Sequence, residues 1–554
     1  MKRRTAKKTS SPAPASAPER PPLDALNFAA AVEFHRAGQM EKAEILYRAA
    51  IALNASHAEA YYNLGVIHHG LGKLPEATAA YRDAIFARID YVDAYSNLAT
   101  VMRDQGKMAE AEIFYRQALA YDPTHTLANS NFGVLLNDLK RSDEAKEAFR
   151  RAIAVDPAYE WAYVNMASAL LNIGEFGNSV ASCRRATRLQ PDLALAHHNL
   201  GAALKAENRI DEAICAFRDA IRARPDFGEA HFALGQVLLM QGRYEEGWPE
   251  YDWRWTLPDY GWLRNIHGPF EQPRWRGEDI SGKTILLYAE QGLGDAIQYV
   301  RYVPALARRA GHVVLAVHPP LLPLFADLEG VDVVALDQVP LPPFDTHCPL
   351  MGLGEMFGTR ADTIPAEIPY LSAAPAKIEQ WRARLGKGGL KVGIVWAGNP
   401  TQMGDRWRSP RLAAVAPLFS VPGVQFIALQ KGPGRDDLKQ IPLPSNVLDL
   451  GDEIKDFADT AGIMAGLDLM ITSCTAPLHL AAALGVPTWA VIPYAPHFLW
   501  QLDRDDSPWY PTLRLYRQHR AGSDWSVPVG RMAEDLRRLA ERADRAESRL
   551  VGAR

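Results

Sequence analysis

Small and aromatic positions in the first half of the chain recur with a single period. Ala43, Ala77, Ala111, Ala145, Ser179, Ala213 and Gly247 follow one another at intervals of 34, and Tyr47, Tyr81, Tyr115, Phe149, Cys183, Phe217 and Tyr251 each lie four residues later. Ala50, Ala84, Ala118, Ala152, Ala186 and Ala220 come three further on, and Pro123, Pro157, Pro191 and Pro225 mark turns. The spacing predicts pairs of helices over residues 24–257, with small side chains where helices approach and a ring filling the gap beside them. From residue 283 the pattern changes to short apolar runs, "KTILLYAE", "HVVLAVHP", "VDVVAL", "KVGIVWAGN", "VQFIALQKG", "NVLDLGD", "LDLMITS" and "PTWAVIP", separated by helical spacings. Such alternation predicts parallel sheets covered on both faces.

The periodic half resembles the tetratricopeptide repeat. Seven units, the last degenerate, imply a superhelix of helix pairs with a concave inner face. Asn63, Asn97, Asn131, Asn165 and Asn199 share one register of the first helix, and asparagine is a mediocre helix former. Two readings fit them: amides that bond neighbouring helices and fix the stacking, or an amide ladder offering a donor and an acceptor to the backbone of a bound peptide. A similar ladder lines the superhelix of O-linked N-acetylglucosamine transferase, where it holds protein substrates.

Around the repeats the chain divides into a basic, Pro/Ala/Ser-rich tail (1–23) expected to be disordered, a packed aromatic hinge (258–282), a first Rossmann-like α/β half (283–372), a linker (373–388), a second half (389–529) and a C-terminal helix (530–554). The helical spacing over 530–548 is expected to cross back onto the first half. Composition narrows the partners. Lys plus Arg number 61 against 65 for Asp plus Glu, so a formal charge of −4 gives no basic field favouring nucleic acid. The four cysteines lack CxxC spacing, which argues against structural zinc or a disulfide framework and suits a reducing cytoplasm. No apolar run reaches the roughly 18 residues that span a membrane.

Candidate chemistry gathers at strand ends. "EQGLGD" ends the first apolar strand with Gly292, Gly294 and Asp295. It lacks the third glycine of a dinucleotide turn. Asp295 reads either as an acid favourable to a helix N-terminus or as a base facing an interdomain cleft, ionised at neutral pH with an ordinary carboxyl pKa of about 3.9. In "MITSCTAPLHLAAALG" a strand leads through Ser473, Cys474 and Thr475 into a helix whose first turn can bind phosphate, with His479 one turn in. His479 reads equally well as a packing histidine. Cys474 reads better as a small buried thiol than as a nucleophile. "WAGNPTQMGDRWRS" ends another strand with Asn399, Asp405, Arg406 and Arg408, and "LQKG" adds Lys431, cations suited to a leaving phosphate.

Together "GLGD", "VGIVWAGN", "LQKG" and "TSCTAPLHLAAALG" resemble the GT-B glycosyltransferases related to bacterial heptosyltransferases, in the subgroup fused to tetratricopeptide repeats. The resemblance implies two Rossmann-like halves, with Asp295 as the base. It implies a donor site of Gly292, Gly294, Asn399, Asp405, Arg406, Arg408, Lys431, Ser473, Cys474, Thr475 and His479. Where heptosyltransferases carry an Asp-Thr pair this chain has Cys474-Thr475, which departs from a heptose donor. Relatives with repeats include bacterial flagellin glycosyltransferases that transfer nonulosonic acids from CMP donors. No acidic cluster stands at a strand end to hold a metal, so metal-independent transfer without a cofactor is expected, from a nucleotide-sugar to Ser or Thr of a protein, flagellin among the candidates, held by Asn63, Asn97, Asn131, Asn165 and Asn199. Transfer to lipopolysaccharide or another glycan, and a repeat scaffold with an inactive transferase half, are the competing classes.

Overall fold

The computed structural model describes residues 21–258, 266–386, 389–401, 404–522 and 524–552. The expected tail lies outside them as far as residue 20, as does residues 259–265 of the hinge. The described chain forms two compact units, one up to Ile173 and one from Gly174.

The first unit is helical. Helices Leu23–Arg36 and Met40–Leu53, then Ala58–Gly70 and Leu74–Ala87, then Val92–Asp104 and Met108–Tyr121, then Thr126–Asp138 and Ser142–Val155 form antiparallel pairs, followed by Glu160–Ile173. The periodic residues explain the pairing. Ala43, Ala77, Ala111 and Ala145 are fully buried with Tyr47, Tyr81, Tyr115 and Phe149. A Cβ on Gly65 would stand 2.6 Å from the Tyr81 ring, and one on Gly133 would stand 2.6 Å from Phe149, so only glycine lets the helices close there. Between the helices of a pair the chain turns through a left-handed residue, Gly38, Gly72, Gly106 and then Lys140, at φ 72°, 71°, 76° and 63°.

The second unit opens with helices Phe176–Leu189, Ala194–Ala206, Ile210–Ala223, Gly228–Met240 and Tyr244–Asp252. The last holds Pro249 and passes into a 3₁₀ turn, Trp253–Thr256. Among the described residues ten strands follow: β1 Thr284–Tyr288, β2 His312–Val317, β3 Val331–Ala335, β4 Thr346–Pro349, β5 Leu390–Val395, β6 Val424–Ala428, β7 Val447–Asp449, β8 Leu469–Ser473, β9 Thr488–Ile492 and β10 Leu513–Arg517. They build two parallel sheets, ordered β3-β2-β1-β4 and β10-β9-β8-β5-β6-β7. In the first, Leu287 pairs with Leu315 and Cys348; in the second, Ile394 pairs with Ala428 and Ile471. Both read as nearly continuous apolar runs because helices cover both faces. Among the described residues no helix is long and apolar enough to cross a membrane.

Two connecting segments take definite places. Trp275 of the hinge is buried, its backbone N–H donates to the His347 carbonyl at 2.8 Å, and Arg274 bridges to His347, so the hinge extends the edge beyond β4. Pro375–Leu385 is a helix packed on Phe457–Met464, where Asp459 accepts from Lys377 Nζ at 2.6 Å and Trp381 Nε1 at 3.2 Å. The C-terminal helix, Ser526–Gly552, corrects an expectation. It does not cross to the first half: Val529, Met532, Leu536 and Ala540 complete the core of the six-stranded sheet with Val392, Ile394, Phe426 and Ile471.

Candidate active site

The carboxyl end of β1 turns through Glu290, Gln291 and Gly292 into a short helix, Leu293–Tyr299. Asp295 sits in its first turn, where its Oδ2 accepts the Gly292 N–H at 3.0 Å. The small side at Gly294 serves the protein itself. A Cβ there would stand 2.9 Å from His479 Cδ2 and 3.3 Å from Ala476 Cα, so glycine allows this helix to meet helix Ala476–Ala483 of the second half. Asp295 keeps some open surface, yet protein surrounds its carboxyl. Burial pushes the carboxyl up to about 6, against the Gly292 N–H, with Glu290 raising it further and Arg408 lowering it. The ordinary value near 3.9 expected from sequence does not apply.

Residues from the second half converge on the same region. A Cβ on Gly398, just past β5, would stand 2.6 Å from Asp405 Oδ1, 3.0 Å from Arg408 Nη2 and 3.1 Å from Thr475 Cγ2. The turn after β5 and the turn after β8 therefore touch at Gly398. Asp405 is buried and its Oδ1 is occupied by Arg408 Nε at 3.2 Å and Ser409 Oγ at 2.9 Å, so it shapes the loop and aims Arg408. Asn399 and Arg406 are exposed. Asn399 Oδ1 accepts from Thr401, and Arg406 lies over the Trp407 ring at 4.4 Å. Lys431 donates to the carbonyls of Gly451, at 3.3 Å, and Ile454. Its neighbour Gln430 is buried, and Gln430 Oε1 accepts the N–H groups of Trp396 and Ala397 at 3.0 and 2.9 Å.

Thr475 is the N-cap of helix Ala476–Ala483, and its hydroxyl donates to the Ser473 carbonyl at 3.3 Å. Ser473 is fully buried, and its Oγ has no partner among the described residues. Cys474 Sγ accepts from Trp500 Nε1 at 2.9 Å; burial pushes its thiol up, Arg408 acts to lower it and Asp295 to raise it. A thiol so placed is protonated at neutral pH and is no nucleophile. His479 is buried, bonds Tyr510 Oη at 2.9 Å and stacks on Trp500 at 5.5 Å; burial pushes its pKa down to about 3. It is a neutral packing residue. Among the described residues no group of three or more His, Cys, Asp or Glu is placed to hold a metal.

The helices that open the second unit wall this region. Trp407, between the two loop arginines, packs edge-on against Phe176 at 5.8 Å and lies where a Cβ on Gly174 would be 2.5 Å away. Gln501 Nε2 donates to Tyr244 Oη at 3.3 Å, and Gln291 Nε2 to Tyr251 Oη at 2.9 Å. Lys205 Nζ donates to Gln236 Oε1 at 2.6 Å, and burial pushes Lys205 down to about 8. His497 keeps an accessible edge, yet protein surrounds its ring, and burial together with the Lys205 and Arg408 cations holds its pKa down. Nothing in the sequence pattern marks Lys205 or His497, which sit outside any recognisable motif, and Glu290 opens "EQGLGD" without being singled out there. A cavity of about 480 Å³ opens beyond β9 and β10, lined by Asn208, Tyr494, Arg504, Arg517 and Arg531 among others; its lining shares no residue with the Asp295 cluster.

The asparagine series is half-buried throughout. Asn97 Nδ2 donates to Tyr62 Oη at 3.1 Å and lies 3.5 Å from Tyr81 Oη, and Asn63 bonds Tyr47. At these two positions the amide bonds rings of the packed helices. Family models for the tetratricopeptide repeat match residues 33–72, 92–125, 128–159, 162–193 and 198–251. The helix pairs are tetratricopeptide repeats.

"Protein FlbA" of Caulobacter vibrioides is 27% identical over 325 residues, 53% of this chain and 52% of FlbA. The chain thus spans about half the length of the curated relative it matches. Among solved structures, YrrB, described as a repeat protein with an unusual peptide-binding site, is 22% identical over 33% of this chain and 95% of its own, with a TM-score of 0.29. PilF of Pseudomonas aeruginosa is 18% identical over 36% of this chain and 92% of its own, with a TM-score of 0.34.

Proposed function

We propose that the chain is a GT-B glycosyltransferase that moves a sugar from a nucleotide-sugar donor to a Ser or Thr hydroxyl of a protein bound by its repeats. The observation that carries the reading is Asp295: a partly accessible carboxyl with a pKa near 6, at the meeting of two parallel α/β halves. Such a group is ionised at neutral pH but accepts a proton more readily than an ordinary carboxylate. Parallel sheets bind ligands at the carboxyl ends of their strands, which is where the turns after β1, β5 and β8 meet.

In the proposed step the acceptor oxygen attacks the anomeric carbon, its proton passes to Asp295, and the bond from that carbon to the nucleotide phosphate breaks with its electrons going to the phosphate. Arg408 and the first-turn N–H groups behind Thr475 offset the charge that grows there. Arg406 stands on the same loop as Arg408, and Lys431 on the turn after β6. Neutral Cys474 leaves the donor site without the carboxylate of heptosyltransferases, which suits an acidic sugar such as a nonulosonic acid, with flagellin as the matching acceptor. The repeats raise the local concentration of the acceptor.

Intact-mass spectrometry of flagellin and other candidate proteins, from cells with and without this chain, tests the reading. A protein losing one sugar's mass in its absence supports it. Unchanged protein masses with an altered surface glycan would replace the protein acceptor by a glycan.

A further inference from the structure

The turn that carries Asp295 is fastened to the end of the repeats by a buried ion pair. Arg254, in the 3₁₀ turn that closes the helices, is 2% exposed, and Glu290, at the start of the turn after β1, is 3% exposed. Arg254 Nη2 donates to Glu290 Oε1 at 3.1 Å; Nη1 donates to the Tyr251 carbonyl at 3.2 Å and to Asp252 Oδ1 at 3.3 Å. Glu290 Oε2 accepts the Met351 N–H at 3.4 Å. Around the pair, Asp252 takes two bonds from Arg274 at 2.9 and 2.6 Å, and the Gln291 carbonyl accepts from His318 Nε2 at 2.7 Å.

A pair this deep is a poor stabiliser. Desolvating two charges offsets most of their attraction, and apolar residues of similar volume often do as well. Arg254 Nε has no partner among the described residues, a further cost. Its value lies in direction, since a guanidinium fork fixes the carboxylate it holds, and in the charge that it places beside Asp295.

We propose that Arg254 and Glu290 are positioning residues, a buried link through which the segment closing the repeats holds the glycine turn that carries Asp295. The inference rests on the reading of Asp295 as proton acceptor. The groups acting on Asp295 are Glu290 from its own turn and Arg408 from the loop after β5; its neighbours are the Cys474 thiol after β8, Tyr299 on its own helix and neutral His479 on the helix pressed against Gly294. Burial pushes the Glu290 carboxyl up while Arg254 acts to lower it; in its ion pair Glu290 is the like charge of that set, so its removal lowers the affinity of Asp295 for a proton.

Two variants separate this from a merely structural role. Glu290→Gln keeps size and a bond to Arg254 but removes the charge; Arg254→Met with Glu290→Met keeps volume and removes the directed bonds without stranding one ion. Isotope-edited infrared titration of the aspartate carboxyl band, each protein minus its own Asp295→Asn partner, reads Asp295 with neither donor nor acceptor present. The midpoint near 6 in the unaltered protein moves to lower pH in Glu290→Gln and moves away from 6 in the double variant. The double variant melts near the parent, yet transfer at saturating donor falls about tenfold or more as the turn loses its register. Folded variants with an unmoved midpoint and undiminished transfer would overturn the link. Because the titration needs no reaction, it judges the link even if Asp295→Asn were to retain transfer and remove the base.

Discussion

Burial, a backbone N–H and two side-chain charges together decide what Asp295 does, and each leaves a measurable trace. Because its folded pKa is raised from 3.8 to about 6, its contribution to stability is present at low pH and lost as pH rises from about 4 through about 6. Asp295→Asn is therefore expected to melt no lower than the parent at pH 7. In the proposed step transfer depends on the ionised form, so its rate is expected to climb through pH 6 and level off above it, a limb that a pH–rate profile would show and that the variant would lack. A rate flat from pH 5 to 8 would contradict this. Gly294 makes an independent prediction. A methyl there meets His479 at 2.9 Å, so Gly294→Ala should cost about 1–3 kcal/mol in urea unfolding. At this scale the sequence revealed which residues stand at the strand ends but not their state. Lys205 shifts its surroundings from a position no motif marks, Glu290 does so from the unremarked first place of "EQGLGD", and burial cannot be read from residue identity.

Among elements, regularity decided what the sequence disclosed. The repeat helices follow from a 34-residue period that no insertion breaks. Strands β1 to β3 and β5 to β9 coincide with apolar runs. Strand β4, "THCP", and strand β10, "LRLYR", escape that pattern, one being four residues inside a Pro-rich stretch and the other carrying two arginines. Each stands at one end of the strand order of its sheet. The C-terminal helix shows the same limit differently: its amphipathic face is legible, but which sheet it covers depends on tertiary packing. Lys140 offers a test of the repeat turns. It holds the left-handed position that Gly38, Gly72 and Gly106 take in their turns, so Lys140→Gly should stabilise the repeats by about 1 kcal/mol, seen as a higher urea midpoint with unchanged slope. A lower midpoint would show that the lysine side chain outweighs its backbone strain.

On the scale of the molecule, the repeat sequence and the compact units do not share a boundary. Helices from Phe176 to Asp252 are repeats by sequence, yet Trp248 Nε1 donates to the Thr359 carbonyl at 3.0 Å and Arg254 pairs with Glu290 inside the α/β unit. A chain starting at Gly174 should keep a cooperative melt and native near-UV dichroism. One starting at residue 258 should lose both, and equal behaviour of the two would refute the assignment. Replacing Asn97, Asn131 and Asn165 by Ala should weaken acceptor binding by on the order of 1 kcal/mol for each amide bond lost, with donor titrations unchanged. Unfolding without a separable binding defect would leave the series to helix stacking, the role the Asn97–Tyr62 bond already illustrates. The central claim, that Asp295 takes the acceptor's proton, is tested most directly by intact-mass measurement of sugar transfer with purified Asp295→Asn beside the parent. The account predicts a folded enzyme whose rate falls by about 10² to 10⁴; near-parental transfer would contradict it and return the acid to a helix cap.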